Sequence, residues 1–146
     1  WGWWGQDKAT RFLMVHDFRP IPTVESWQLS NPPILQLAAL RASLDIFHET
    51  GMDNLRKKSE LLTGFAEYLV NENNNGNIEI ITPASASERG CQLSIRAKSN
   101  GKALHTKLNN EGVICDWREP DVIRIAPVPL YNTYEDVWNF VKLLYS

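Results

Sequence analysis

Residues 121–132 read Asp-Val-Ile-Arg-Ile-Ala-Pro-Val-Pro-Leu-Tyr-Asn, and this stretch decides how the second half of the chain folds. Its first residues alternate between two faces, which predicts a short β-strand with Arg124 on one face and isoleucines on the other. Pro127 and Pro129 cannot donate to a sheet ladder, so the strand ends before them. The predicted faces are Val122, Arg124 and Ala126 on one side, and Ile123 and Ile125 on the other.

Arg124 places one guanidinium in an otherwise apolar row of this strand. A helix start follows at Asn132 and Thr133, with acidic residues in its first turn. An arginine at the exit of a strand, beside a helix start, suits a carboxylate held by two parallel hydrogen bonds. An ordinary salt-bridged arginine fits the same pattern and is the commoner case, since structural ion pairs outnumber ligand sites. The carboxylate-binding interpretation therefore requires that Arg124 face a pocket rather than a neighbouring acid.

The residues around this strand indicate three further strands and two helices. Cys91, Leu93 and Ile95 alternate with polar residues, as in a half-buried strand. The turn 118–121 is short enough to close a hairpin. The predicted strands are 78–82, 91–96, 113–117 and 122–126, and the predicted helices of this half are 101–111 and a closing helix after Thr133.

Two more helices are predicted earlier in the chain. Ser30 or Asn31 can cap the first, and the prolines that follow are tolerated in a first turn. This helix runs to about Thr50 and is apolar on most sides, which predicts that it is buried. The second covers roughly 53–71 and has an apolar stripe at helical spacing. The resulting order of elements predicts an α+β fold, in which helices pack on one side of a mainly antiparallel sheet of three to four strands.

Residues 1–30 show little helical or strand periodicity but are rich in aromatic side chains. Disordered segments are poor in aromatics, so this segment is predicted to be an active-site or interface loop, followed by a single α+β domain at 31–146. The indoles of Trp3 and Trp4 suit an aromatic ligand or a phosphate oxygen, and a hydrophobic anchor for the loop explains them equally well. Asn31 suits a ligand contact or a helix cap, of which capping is the commoner role.

Composition restricts the partners and the compartment. The 146 residues carry a net charge of −2 with both signs interspersed, which argues against nucleic acid or an anionic membrane surface as a partner. No apolar run approaches the roughly 20 residues that span a bilayer. Cys91 and Cys115 are far apart and are interpreted as reduced, buried thiols of a cytoplasmic protein. The histidines have no metal-ligand spacing, so no metal site is predicted.

Four segments of the chain stand out together. They are Gly2-Trp3-Trp4-Gly5 with Thr10-Arg11-Phe12, then Leu29-Ser30-Asn31-Pro32-Pro33-Ile34-Leu35, then Glu88-Arg89-Gly90-Cys91-Gln92-Leu93, and finally Gly112-Val113-Ile114-Cys115-Asp116 with the strand and prolines of 123–132. In this order, over nearly the whole chain, the segments closely resemble kynureninase, the pyridoxal-phosphate enzyme family that cleaves kynurenine.

The resemblance implies a role for each candidate site residue. Arg124 matches the arginine that binds the α-carboxylate of the substrate. Trp3 matches a tryptophan at the cofactor, near its phosphate and the substrate ring, and Asn31 matches an asparagine that contacts cofactor or substrate. Phe12 matches a phenylalanine of the ring pocket, and Trp4 can supply a further aromatic wall. The resemblance also implies the small C-terminal domain of a fold-type I enzyme, a homodimer with its sites at the subunit interface, and pyridoxal 5′-phosphate as the cofactor.

The chemistry of kynurenine agrees with these residue types. Its carboxylate needs a bidentate cation, which an arginine supplies better than a lysine. Its aminobenzoyl ring needs aromatic or apolar walls. The cofactor stabilises the carbanion as an electron sink, and the resemblance implies hydrolysis to anthranilate and alanine in tryptophan catabolism and NAD biosynthesis.

One departure from the family is important. The family's Schiff-base lysine lies upstream of the Gly-Trp-aromatic-Gly motif, and the lysines present here are predicted to be solvated surface residues. We therefore expect the chain to be the C-terminal part of a longer enzyme, without a catalytic residue of its own and inactive alone.

Two alternatives stay open. A related cysteine desulfurase or class V aminotransferase also uses a C-terminal arginine for the carboxylate, but it would not need the aromatic cluster. A non-enzymatic α+β module for ligand binding or dimerisation would fold self-sufficiently, with residues 1–30 packed on its own core.

Overall fold

A computed structural model describes residues 2–146, and Trp1 lies outside the described residues. The chain divides into two compact units, here named the N-terminal unit, which ends at Glu49, and the C-terminal unit, Thr50–Ser146. This division falls at the end of the first long helix, so that helix groups with the aromatic segment. The predicted domain boundary after residue 30 stays a prediction.

The α-helices and β-strands occur in the predicted order. The helices are α1 Ile34–Thr50, α2 Met52–Glu72, α3 Gly101–Asn110 and α4 Tyr134–Tyr145, and the strands are β1 Ile78–Ile80, β2 Leu93–Ala97, β3 Asp116–Arg118 and β4 Val122–Ile125. Short 3-10 helices lie in the connections at Trp3–Gly5, Val24–Trp27 and Ala86–Glu88.

The strands of the C-terminal unit form one antiparallel sheet of four strands in the order β1-β2-β4-β3. In the centre of the sheet, Ile95 of β2 lies opposite Ile123 of β4. At one edge, Asp116 of β3 lies opposite Arg124 of β4. The predicted α+β class with an antiparallel sheet is confirmed.

One face of this sheet is the core of the unit. Leu93, Ile95 and Ala97 of β2 and Ile123 of β4 are buried there, because alternate residues of a strand point to the same face. Helices α2, α3 and α4 cover them, each with apolar side chains at helical spacing, and each fully buried large side chain contributes about 1.5–3 kcal/mol. The core is formed by Leu62, Ala66, Leu69, Val70, Ile78, Leu93, Ile95, Ala97, Leu108, Ile123, Val137, Phe140, Val141 and Leu144.

The opposite face of the sheet is polar. Arg124 lies on it between Ser94 of β2 and Asp116 of β3, and Arg96 pairs with Glu79 further along. The apolar row predicted around Arg124 concerned its own strand only, and the cross-strand neighbours Ser94 and Asp116 make the surrounding sheet face polar.

All four strands are shorter than their patterns predict, and β1 and β3 lose the most residues. β1 ends at Ile80 because the hydroxyl of Thr82 accepts a hydrogen bond from the Ser94 amide at 2.7 Å, which replaces a backbone ladder bond. β3 begins at Asp116 because the amide of Val113 donates to the carbonyl of Leu108 at 2.9 Å, in the turn that ends α3.

The N-terminal unit depends on two glycines. A Cβ on Gly2 would lie 2.1 Å from the Cα of Leu29, and one on Gly5 would lie 2.0 Å from the carbonyl oxygen of Ser26. The backbones of the two 3-10 helices of this unit therefore pack directly against each other, which no larger residue at either position permits. The glycines that flank the tryptophans are thus explained by packing.

The prediction that α1 is buried is wrong for the described residues. None of its side chains is buried, and Leu35 is 83% exposed. Apolar spacing forms the helix, but burial needs a second layer of side chains, and the described residues of the N-terminal unit provide none. Within the same residues, no helix has the length and apolarity needed to cross a bilayer.

Candidate functional site

The predicted site residues belong to different units. Trp3, Trp4, Phe12 and Asn31 lie in the N-terminal unit, and Arg124 lies in the C-terminal unit. Trp3, Trp4 and Phe12 form a cluster. Asn31 and Arg124 are not part of it and are described separately.

The aromatic cluster consists of Trp3, Trp4 and Phe12. The rings of Trp3 and Trp4 meet edge to face with centroids 5.7 Å apart, and those of Trp3 and Phe12 do so at 5.3 Å. This is a favourable geometry for aromatic pairs. Trp3 is half exposed and Phe12 mostly exposed, so the cluster combines the role of a loop anchor with an open aromatic surface.

Arg11 holds this cluster together. Its guanidinium carbon lies 4.7 Å from the ring centroid of Trp4 and 5.5 Å from that of Trp3. Its Nη2 donates to the carbonyls of Trp4 at 2.9 Å and Gln6 at 3.2 Å. Its Nε is buried without a hydrogen-bond partner. Sequence reasoning gave Arg11 no role, although a cation beside several indoles is itself a signal of cation–π stacking.

The loop around the cluster encloses a cavity of about 300 Å³, lined among others by Trp3, Arg11 and Phe18. The side chain of Gln6 is buried at its edge, where it donates to the Thr10 hydroxyl at 2.9 Å and accepts from the Arg19 amide at 3.0 Å. These bonds connect the start of the loop at Gln6 with its middle at Thr10 and its end at Arg19.

Asn31 is exposed, and its amide makes no hydrogen bond with the described residues. Helix α1 begins at Ile34, so Asn31 stands too far ahead of the helix to be its N-cap. The capping alternative is therefore not realised, and a ligand contact for Asn31 stays a prediction.

Arg124 is paired with an acid. Its Nε donates to Oδ2 of Asp116 at 2.8 Å, and its Nη2 donates to the same oxygen. Arg118 also reaches this oxygen, with its Nε at 3.0 Å. Arg124 thus faces a neighbouring acid rather than a pocket, so the condition that the sequence set for carboxylate binding is not met among the described residues, and its role in binding a ligand stays a prediction. Sequence reasoning missed Asp116, because only strand pairing brings it opposite Arg124.

The ion pairs also affect nearby titrations. The hydrogen bond from Arg124 is the main cause that lowers the pKa of Asp116 below its ordinary value, and the charges of Arg118 and Arg124 add to it. Burial, and then the charge of Asp116, raises the pKa of the Cys115 thiol. Cys91 and Cys115 are free thiols as predicted, but both are half-buried rather than buried.

A second cavity, of about 570 Å³, lies at the end of β4. Ile125, Pro127, Tyr131 and Phe140 are among its lining residues, and Arg124 is not. No lysine lines this cavity or the smaller one. Three lysines of the C-terminal unit instead make surface contacts: Lys98 donates to a carbonyl, Lys102 pairs with Glu119, and Lys107 binds the last residue of the chain.

Solved structures share this architecture. A mutant of C-DES with glycine covalently linked to its pyridoxal phosphate cofactor superimposes with a TM-score of 0.74 at 16% identity, covering 99% of this chain and 37% of that one. A NifS-like protein superimposes with a TM-score of 0.68 at 20% identity, covering 90% of this chain and 40% of that one. The fold is therefore that of one part of a larger fold-type I pyridoxal-phosphate enzyme chain, as predicted.

The sequence defines the family more closely. Residues 55–144 match the family described as the kynureninase C-terminal domain. Proteins named kynureninase from Stenotrophomonas maltophilia and Myxococcus xanthus are 56% and 53% identical over 144 and 143 residues, which cover 97% and 98% of this chain. The chain belongs to the kynureninase family and spans 34% of the length of these relatives.

Proposed function

We propose that this chain supplies the recognition of the α-carboxylate and of the aromatic ring in a kynureninase, which hydrolyses L-kynurenine to anthranilate and L-alanine. Family membership supports the choice of reaction. The observation that carries the proposal is the open aromatic cluster of Trp3, Trp4 and Phe12, since a flat aminobenzoyl ring needs flat apolar walls.

Each candidate residue has one task in this proposal. Arg124 binds the substrate carboxylate, Phe12 and Trp4 contact the ring, Trp3 contacts the cofactor, and Asn31 contacts cofactor or substrate. When bound, pyridoxal 5′-phosphate acts as the electron sink for the carbanion. The residues of this chain bind and orient the substrate, and the lysine that carries the cofactor belongs to another part of the full-length protein.

Two of the residues present fit the ring and the phosphate of such a cofactor. Trp3 offers an exposed indole face and an N–H donor, and Asn31 offers an unpaired amide, as a flat ring with a phosphate requires. The lysine-free cavities agree with a covalent attachment elsewhere. We also propose that the full-length protein is a cytoplasmic homodimer in tryptophan catabolism and NAD biosynthesis, with residues 1–31 near the partner's site. The exposed apolar side chains of α1 support an interface.

The test uses the full-length protein that contains this chain. Arg124→Gln is expected to lower kcat/KM for L-kynurenine by about 100-fold, since truncating one partner of a hydrogen-bonded charge pair costs about 2–5 kcal/mol. Arg96→Gln is the matched control, because Arg96 lies on the same polar face of the sheet and pairs with Glu79 and Asp121. Its kcat/KM is expected to stay within about twofold of the wild type.

Two results would contradict the proposal. Equal effects of Arg124→Gln and Arg96→Gln would remove the special role of Arg124. A wild-type protein that releases no anthranilate from kynurenine, but desulfurates cysteine or transfers the amino group of alanine, would instead identify a related pyridoxal-phosphate enzyme.

A further inference from the structure

The ion pair between Arg124 and Asp116 uses only one edge of the guanidinium. An arginine carries five N–H groups, which lie in one plane and point in different directions. Asp116 accepts one from Nε and one from Nη2, both through Oδ2. The Nη1 group of Arg124 makes no hydrogen bond with residues 2–146. The edge formed by Nη1 and the second hydrogen of Nη2 therefore stays available, and this is the edge that binds a carboxylate end-on through two parallel bonds.

The sheet itself provides this arrangement. β3 and β4 pair so that Asp116 lies directly opposite Arg124, with both side chains on the polar face. Directly opposed residues have Cβ atoms about 4.5–5.5 Å apart, close enough for a carboxylate to reach the Nε edge of an arginine. Arg118, two residues after Asp116, shares that face and also binds Oδ2. Asp116 is held between two arginines.

The charges of this group match one ligand class. Two guanidinium groups and one carboxylate sum to +1, and the hydrogen bond from Arg124 lowers the pKa of Asp116, which keeps it ionised at neutral pH. A single carboxylate, such as that of an amino acid, neutralises a charge of +1. Without Asp116 the two arginines would carry +2, which attracts any carboxylate more strongly, so Asp116 can favour a monocarboxylate only through the geometry in which it holds Arg124.

We infer that Asp116 is a positioning residue for carboxylate recognition: it holds Arg124 by the Nε edge and leaves the other edge of the guanidinium for a monocarboxylate ligand. The inference rests on the proposed role of Arg124. A free arginine side chain loses rotamer entropy when it binds, and an arginine already held by Asp116 loses less of it on binding. The same ion pair that indicates a structural arginine is thus compatible with ligand binding.

The test measures how strongly the full-length protein prefers a carboxylate. The probes are desaminokynurenine, which keeps the ring and the carboxylate, and its carboxamide, compared as competitive inhibitors of kynurenine hydrolysis. The carboxylate preference is the inhibition constant of the carboxamide divided by that of desaminokynurenine. Asp116→Asn is expected to reduce this preference by about tenfold. Glu79→Gln is the matched control, since Glu79 is an acid on the same face that pairs with Arg96 at 3.4 Å, and it is expected to leave the ratio unchanged. An unchanged or a stronger preference for the carboxylate in Asp116→Asn would overturn the inference.

Further variants separate this inference from the proposed function. Arg124→Gln should abolish the preference, and in that background Asp116→Asn should have no additional effect, because Asp116 acts through Arg124. If Arg124→Gln leaves the preference intact, the proposed role of Arg124 is wrong. If Arg124→Gln abolishes it and Asp116→Asn does not change it, only the inference is wrong.

Asp116→Glu keeps the negative charge and should recover part of the preference that Asp116→Asn loses. The same loss in both variants would show that the charge is not responsible and would overturn the inference. If Asp116→Asn does not fold, Asp116→Glu and Arg118→Gln give the answer. Arg118→Gln removes the second cation but leaves the Arg124–Asp116 pair, so it should lower the preference by less than about threefold, and a tenfold loss there would overturn the inference.

Discussion

At the scale of single residues, arginines organise both candidate surfaces. Arg11 stacks on two indoles and binds two backbone carbonyls of its own loop. Arg124 of β4 pairs with Asp116 of the neighbouring strand β3. In each case part of the planar guanidinium is occupied and part is not, which is what distinguishes arginine from lysine at such positions.

Arg11→Gln should loosen the aromatic cluster. We expect KM for kynurenine to rise about tenfold in the full-length protein, because two cation–π contacts of about 0.5–1 kcal/mol each are lost together with charged hydrogen bonds. Tryptophan emission should shift to longer wavelength as the indoles gain water. Arg41→Gln is the control, since Arg41 makes only an exposed ion pair with Asp45 in the same unit. Unchanged emission in Arg11→Gln would exclude this role.

At the scale of elements, the connection between β1 and β2 is held to α2 by an ion pair. Nη2 of Arg89 lies 2.5 Å from Oε2 of Glu67, and the Arg89 side chain is only 6% exposed. Nη1 of Arg89 also donates to the carbonyl of Pro83 at 3.1 Å. This connection contains the Glu88-Arg89-Gly90-Cys91 segment, and its arginine has a structural contact in the folded chain.

Arg89→Met should destabilise the C-terminal unit by about 3 kcal/mol, because it leaves the partly buried carboxylate of Glu67 unpaired. Arg41→Met, which breaks an exposed pair within α1, should cost less than about 0.5 kcal/mol. Hydrogen exchange in the full-length protein measures both effects, on the α2 and β2 amides for Arg89→Met and on the α1 amides for Arg41→Met. Equal protection in the two variants would show that the buried pair contributes no more than the exposed one.

At the scale of the whole molecule, the two units differ in how they are stabilised. The C-terminal unit has a continuous apolar core between one face of a sheet and three helices. In the N-terminal unit, the buried residues among those described are small or polar: Gly2, Gly5, Gln6 and Ser26. A unit without a buried apolar core has little to offset the entropy of ordering its chain.

Residues 1–146 expressed alone should therefore lose the N-terminal unit first under limited trypsin digestion, with early cleavage after Lys8, Arg11 and Arg41. The C-terminal unit should resist, because its core must open before cleavage. The full-length protein should protect both, and mass spectrometry identifies the products. Equal resistance of both units in the isolated chain would instead favour a self-sufficient binding or dimerisation module.

The sequence by itself determined the local structure of this protein. Alternation predicted the strand of Arg124, apolar spacing predicted the helices, and the order of elements predicted the α+β class, since these patterns depend on backbone geometry over a few residues. The motif order also identified the family, which the match of residues 55–144 and the identity to proteins named kynureninase confirm.

Only the tertiary structure decided which surfaces these elements share. The strand order placed Asp116 beside Arg124, and the folded loop placed Arg11 on both indoles. The apolar side chains of α1 are exposed in the part of the chain that the structure describes. Each of these results depends on contacts between residues that meet only when the chain folds, and neither the period of a strand nor that of a helix contains that information.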